Sequence, residues 1–298
     1  MSVPSDSPDA TNIDVLLEKH SASIKSITTI IYASPSVVIP EWWDEIWTLR
    51  YILSGRGASD DQVAKRVIEA IEYRSKNPFL HEANPQQQYP ADRAEQYQFI
   101  KKYLCAGRHG YTRDGGIVQV IRSGISRPAE AVKAVGHDLL AEFYTFNNEC
   151  MYRALDEITR KTRTLVKCTV LNDMKGMGYG TVDRAFLKCV GASSHVSEIL
   201  HPQLLARTVV VHPPVFFKMI FGIGKHFMSR SAVERFQMCN VSLREWKDIT
   251  GHNADQVFDF EQIPWFLGGN CKLHPDIEST LCIPPAGNLQ TTPIPLPK

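Results

Sequence analysis

The segment KGMGYGT places Gly176, Gly178 and Gly180 after a β-rich run and before a helical one, where a phosphate-cradling loop would sit. Nucleotide binding is the chemistry such a loop would serve. Its spacing is GxGxG rather than GxGxxG, no Gly-Lys-Ser/Thr follows, and no acidic residue is placed for a ribose, so a tight turn is the simpler reading. Ten histidines raise the question of a metal, yet none forms HExxH or HxH. His195, His201 and His212 fall on a helix, its end and a strand, in no ligand-like rhythm. There is no GxSxG elbow, and nothing in the spacing sets a histidine beside a serine or cysteine nucleophile. The sequence therefore predicts no enzyme, no cofactor and no metal.

A different chemistry is suggested by PPVFFKMIFGIGKHFM, from Pro213 to Met228. Phe216, Phe217, Met219, Ile220, Phe221, Ile223, Phe227 and Met228 make a helix there apolar almost all round. Lys218 and Lys225 share one narrow stripe, and Gly222 and Gly224 loosen the helix. Such a helix is either buried core or a mobile lid whose apolar face meets ligand or bilayer. The residues alone leave both readings open.

The chain that must position this helix has 298 residues, 22% charged and 43% hydrophobic, enough for one large domain or a small one fused to a larger. A formal net charge of +1 gives no global pull toward nucleic acid or anionic membrane. Seven cysteines without a CxxC pair, mostly in apolar stretches, fit a reducing cytosol, so a cytoplasmic protein is expected. Residues 1–12 are polar and acidic and lack the features of a secretory signal; they are expected to form a disordered tail. No apolar run reaches the roughly 20 residues of a membrane-spanning helix. Residues 283–298, IPPAGNLQTTPIPLPK, read as an extended proline-rich tail or a short partner-binding segment.

Between the tails two regimes appear. Residues 13–106 are helical: Pro40 opens a segment in which Trp42, Trp43, Ile46, Trp47, Tyr51 and Leu53 recur near helical spacing. A second helix starts at Ser59 or Asp60 and buries Val63, Val67, Ile68 and Ile71 before Tyr73-Arg74 and the turn at Asn77-Pro78. Over residues 107–282 strands at 117–124, 164–173 and 207–214 alternate with helical stretches at 128–161 and 182–200, each long enough to return the chain to a parallel neighbour. An α/β domain behind a helical lobe is expected.

Tyr73-Arg74, GYTRDGGIV at 110–118, NDMKG at 172–176, His201-Pro202, VVVHPPVFF at 209–217 and IPWFLGG at 263–269 occur in that order. This series resembles the motif order of the CRAL-TRIO family, the phosphatidylinositol/phosphatidylcholine transfer protein-like group. Thr112 stands for the family's usual aspartate, Gly116-Ile117 for its Arg-Pro, and His212 for its asparagine. The resemblance implies an α/β fold in which an N-terminal all-helical lobe precedes a mostly parallel β-sheet floor, with covering helices enclosing an apolar pocket. The helix at about 215–228 would be a gate that opens at a bilayer. Hiding a lipid chain of about 16 carbons from water is worth on the order of 12 kcal/mol at about 0.8 kcal/mol per CH₂, so such a pocket must close in transit.

Carried over residue by residue, the resemblance implies a ligand lining of Gln119, Phe146, Cys168, Val170, Asn172, Ser197, Gln203 and Arg235. At the positions matched to the choline-binding hydroxyls stand Gln119, Phe146, Cys168 and Val170, and at the inositol positions Gln203, Ala232 and Arg235. Asn172 shares a strand face with Cys168 and Val170; buried unpaired it would cost about 1 to 3 kcal/mol, so a ligand group or side chain should meet it. Lys218, Lys225 and Arg230 are the candidates for membrane or phosphate contact. The expected partners are one lipid, either a phospholipid or a neutral isoprenoid or sterol-like molecule, and transiently a membrane surface, with no nucleic acid. The alternative is a protein-interaction module whose pocket is filled by its own side chains.

Overall fold

The structure, a computed structural model, describes residues 10–35, 37–178, 183–227 and 230–272, without the side chains of Ile220, Ile223, Phe227, Ser231 and Ala232. The expectations for residues 1–9, Gly180, Met228 and the tail at 283–298 lie outside the described residues. Residues 11 and 12 belong to the fold rather than to a tail. The Thr11 carbonyl accepts from the Leu165 amide at 2.7 Å, and Asn12 bridges to Thr164.

The chain opens with helices α1 (Ile13–Lys19), α2 (Ser21–Tyr32), α3 (Glu45–Ser54), α4 (Asp60–Lys76) and α5 (Ala94–Lys101). Side-chain caps fix where three of them begin. Asn12 Oδ1 accepts from the Asp14 amide at 2.9 Å, Asp44 Oδ1 accepts from Ile46 and Trp47, and Ser59 and Gln62 form a reciprocal capping box. The start expected at Ser59 or Asp60 is thus found. The one expected at Pro40 is displaced to Glu45, because the Asp44 cap, not the proline, organises the first turn. Ile27, Ile31, Tyr51, Val63, Val67 and Ile71 form one buried cluster joining α2, α3 and α4.

A five-stranded sheet follows, with strands β1 (Ala106–Tyr111), β2 (Ile117–Ile121), β3 (Cys168–Asp173), β4 (Leu205–Val211) and β5 (Phe236–Cys239) in their chain order. β1 and β2 are antiparallel and the remaining pairs parallel. Parallel neighbours require crossovers. These are α6 (Pro128–Val135) with α7 (His137–Thr162), then α8 (Arg184–Leu200), then α9 (Phe217–Gly224) with α10 (Arg230–Glu234). The single helix expected at 128–161 is broken at Gly136, whose φ of 80° ends α6 and starts α7 in a new direction.

The two faces of the sheet differ. On the back face Val118, Val120, Leu171, Val209, Val211 and Cys239 are sealed by Leu243, Trp246, Phe258, Ile263 and Leu267 from the segment after β5, which includes α11 (Ala254–Val257). IPWFLGG closes this segment for steric reasons: Gly268 has a φ of 86°, and a Cβ on Gly269 would lie 1.9 Å from the Ile263 carbonyl oxygen. The front face is covered at one end by Met151, Leu155 and Ile158 of α7 and at the other by Phe217 of α9.

One buried carboxylate joins the lobe to the sheet domain. Glu149 of α7 accepts from Arg74 Nε and Nη2 of α4 at 3.3 and 2.9 Å, from Arg153 Nε at 3.2 Å, and from His201 Nε2 at the end of α8 at 2.8 Å. Arg74 and Tyr51 also donate to the Leu200 and Ile199 carbonyls that α8 leaves unpaired, both at 2.8 Å. Burial alone would push the Glu149 carboxyl up, but Arg74 and His201 overcome it and hold the group well below the usual carboxylate range. Glu149→Ala is expected to lower unfolding free energy by about 3–5 kcal/mol in urea titrations, because it strands the Arg74 charge.

His109 in β1 has no accessible surface, and burial holds its imidazole down at about 4. That lies below the unfolded value of about 6.5, so its contribution is complete above this pH and is lost as pH falls toward the folded value. Between pH 7.5 and 5 the wild type is expected to lose about 2 kcal/mol more than His109→Gln, read from urea midpoints at both pH values.

Candidate functional site

Strand register places Arg108, Gln119, Val170, Thr208 and Phe236 in one row across the front face. Ile121, Asn172, Val210 and Met238 form the next row. A central strand under covering helices is normally sealed on both sides. On the back face it is, with Leu171 and Val209 at 0% exposure. On the front face Gln119, Ile121, Val170, Asn172, Phe236 and Met238 all keep partial exposure. Along β3 this strip lies between Cys168, packed under α7, and Met174, packed under α9. The Cys168 thiol lies 4.0 Å from Gln119 Oε1, and burial pushes its pKa up to about 12, so it remains a neutral thiol. Asn172 Oδ1 is buried with no hydrogen-bond partner among the described residues. The strip therefore combines apolar surface with a buried polar atom that has no hydrogen-bond partner among the described residues.

Helix α9 overlies the end of this strip. Phe217 is buried against Val210 and Met174, and Phe221 contacts the rings of Phe217 and Phe236 at centroid distances of 5.9 and 4.9 Å. Phe216 is half-buried, whereas Val215, Met219, Lys218 and Lys225 face outward, with Val215 and Met219 at 103% and 57% exposure. The helix is shorter than the expected 215–228. It starts at Phe217 after a turn on the Pro214 carbonyl and ends at Gly224, where Lys225–Phe227 tightens into a 3₁₀ turn. The expectations for the side chains of Ile220, Ile223 and Phe227 lie outside the described residues.

The turns at the strand ends explain the motifs around α9. Asp173 ends β3, and its Oδ1 accepts from the Lys175 amide at 3.0 Å, while Gly176 takes a φ of 91°. Gly124, after β2, runs so close that a Cβ would lie 2.0 Å from the Lys175 carbonyl oxygen. His212, in the position before Pro213-Pro214, has a φ of 52° and joins its Nδ1 to Asp173 Oδ1 at 2.9 Å. The strand end and the entry to α9 are thereby tied together by one hydrogen bond across a left-handed residue.

The remaining predicted residues fall elsewhere. Phe146 has no accessible surface and packs with Tyr97 and Tyr89 in the aromatic core under α5, at centroid distances of 5.5 and 6.1 Å. Gln203 is buried with a φ of 64°, and its Nε2 donates to Ser54 Oγ of the helical lobe at 3.1 Å. Ser197 Oγ bonds His201 Nδ1 at 3.0 Å, a serine–histidine contact one helical turn apart where the sequence predicts none. His201 is spent on Glu149 and held down by burial, so the pair belongs to the buried junction. Arg235 borders the strip through its carbonyl, which accepts from the Thr208 amide at 2.9 Å. Arg230 is exposed and bonds Glu234, which also holds Arg56 at 2.8 Å. The structure thus brings Gln119, Cys168, Val170 and Asn172 together and leaves Phe146, Ser197 and Gln203 outside the strip. Arg108, in the same row as Gln119, was missed; the antiparallel hairpin that GYTRDGGIV encodes was the signal that would place it there.

Two clefts of about 520 and 350 Å³ open on the outer surface, at α5–α7 and at α4–α8, and neither includes a residue of the strip. Among the described residues no group of three or more His, Cys, Asp or Glu side chains is arranged to hold a metal, and no helix is long and apolar enough to cross a membrane.

A helical lobe bolted to a mostly parallel sheet, sealed behind and accessible in front, defines a mixed α/β domain with a helix-covered face. The chain belongs to the CRAL/TRIO family, whose model matches residues 101–269. It is 23% identical over 252 residues to the phosphatidylinositol/phosphatidylcholine transfer protein SFH13 of Arabidopsis thaliana, covering 80% of this chain and 37% of that protein. To Protein real-time of Anopheles gambiae it is 23% identical over 228 residues, covering 76% of this chain and 32% of the relative. The chain thus spans about a third of the length of these relatives. The crystal structure of Sfh5 superposes with a TM-score of 0.45 at 14% identity, covering 82% of this chain and 84% of that one.

The strained turn at His212 gives a direct test. His212→Asn, which tolerates a left-handed backbone, is expected to stay within about 1 kcal/mol of wild type. His212→Val, β-branched and unable to bond Asp173, is expected to lose about 2 kcal/mol or more in urea unfolding.

Proposed function

We propose that the chain carries one lipid on the front face of its sheet and transfers it between membranes or presents it to another protein, with α9 as the gate. The observation that carries this reading is the exposure retained by Val170 and Asn172 in the central strand, where a domain with no use for the space would be sealed. Covering helices at both ends of the strip allow an acyl chain to lie along it. Phe217 and Phe221 provide the inner wall of the gate, while Val215 and Met219, flanked by Lys218 and Lys225, provide an outer surface suited to an anionic bilayer. The names of the Arabidopsis relatives point to phospholipid transfer in the same family. No bond chemistry is needed for this task.

Native mass spectrometry of the purified protein, followed by denaturing extraction, is expected to find one lipid per chain. A protein that is empty, and stays empty after incubation with mixed liposomes, would instead favour the interaction module. Within the carrier reading, Asn172→Ala is expected to weaken lipid retention several-fold, since its buried carbonyl oxygen has its partner on the ligand. Unchanged retention would remove Asn172 from the site.

A further inference from the structure

The buried arginines are Arg50, Arg74 and Arg108. Arg74 faces Glu149, and Arg50 faces Asp156 at 3.5 Å. Arg108, at 5% exposure, pairs with no carboxylate among the described residues. Its Nη1 donates to the Pro85 carbonyl at 2.6 Å, and its Nη2 is buried without any partner among the described residues.

The groups that influence its charge are Cys150 of α7, Cys168 of β3, Tyr89 and Tyr111. Burial pushes the two thiols up to about 11 and about 12 and raises the Tyr111 phenol, so none of these three supplies a negative charge near neutral pH. Burial also presses on the guanidinium itself, but arginine does not give up its proton in proteins. A cation is therefore enclosed on the ligand face without its counter-charge, in the same row as Gln119 and Val170. Buried charges are ordinarily paired, and the planar fork of arginine is matched to carboxylate and phosphate oxygens.

We propose that Arg108 is the headgroup anchor of this site and that it selects an acidic lipid, one ending in a carboxylate or a phosphate monoester, over a choline lipid. The proposal rests on the carrier reading. The free Nη2 and the neighbouring Gln119 amide offer the polar contacts, and a quaternary ammonium brought to the same place would meet a like charge. The acyl chain would then run from Arg108 along Val170 toward the aromatic rings under α9.

The full chain, stripped of lipid, is incubated with vesicles containing equal parts of oleate, dioleoyl phosphatidate and dioleoyl phosphatidylcholine, and bound lipid is counted by native mass spectrometry. Wild type is expected to take an acidic lipid about thirty-fold or more over phosphatidylcholine, and whichever acid is retained identifies the headgroup. Arg108→Leu is expected to bind lipid without that preference, and Arg108→Lys to keep part of it. Thermal unfolding of the lipid-free forms is the second readout: Arg108→Leu should melt higher than wild type, since it removes an uncompensated charge. Acidic-lipid preference that survives Arg108→Leu, or wild type loaded chiefly with phosphatidylcholine, overturns the anchor while leaving the carrier standing. Absence of any bound lipid in all forms overturns both.

Discussion

The buried carboxylate of Glu149 gathers donors from α4, from its own helix α7 and from the end of α8. Arg74 reaches it from the helical lobe, Arg153 from the next turn of its own helix, and His201 from the end of the crossover that leads into β4. A charge buried this deeply is tolerable only when paired and hydrogen-bonded, so arrangements of the three elements that separate these partners are penalised. The paired arrangement fixes α7 over one end of the sheet. At the other end α9 packs Phe217 and Phe221 against Val210, Met174, Met238 and Phe236, with no buried ion pair among the described residues.

This difference between the two ends has functional consequences. Behind the sheet, the segment after β5 packs aromatic and aliphatic side chains against every strand from β2 to β5. In front, cover is provided at the ends and withheld in the middle, where Val170 and Asn172 keep exposure. Under the carrier reading proposed above, the sealed back face would serve as the floor and α9 would stand at the entry. The entry to α9 is set by two prolines and by His212, held in a left-handed conformation by its bond to Asp173. Movement of α9 would therefore be concentrated at its ends, with the strand beneath it unchanged.

The sequence made the locally encoded elements legible. Ser59 or Asp60 announced a helix start, β-branched runs announced β2, β3 and β4, and long helical stretches announced parallel crossovers. β1 was hidden because AGRHGY has two glycines and little β-propensity, and β5 because four residues are too few to show a pattern. Gly136 sits within a helical pattern, and only its backbone angle reveals the break. Glu149 reads in sequence as one more acid on an amphipathic helix; its partners Arg74 and His201 are 75 and 52 positions away. The shared placement of Cys168, Val170 and Asn172 was legible for a simple reason: alternation along β3 fixes them on one face. Phe146, Ser197 and Gln203 required knowledge of how the helices pack over that face, which no local pattern carries.

The central claim is that the exposed strip on the front face is where a lipid lies. Photo-crosslinking with a diazirine-bearing acyl lipid, followed by peptide mapping, addresses that claim directly. The account predicts label on peptides containing Gln119, Val170 and Asn172 of β2 and β3 and on the Phe217–Gly224 helix. Label confined to the outer surface clefts near Phe99 and Leu139 or near Glu69 and His195, with none on β2 or β3, would contradict it.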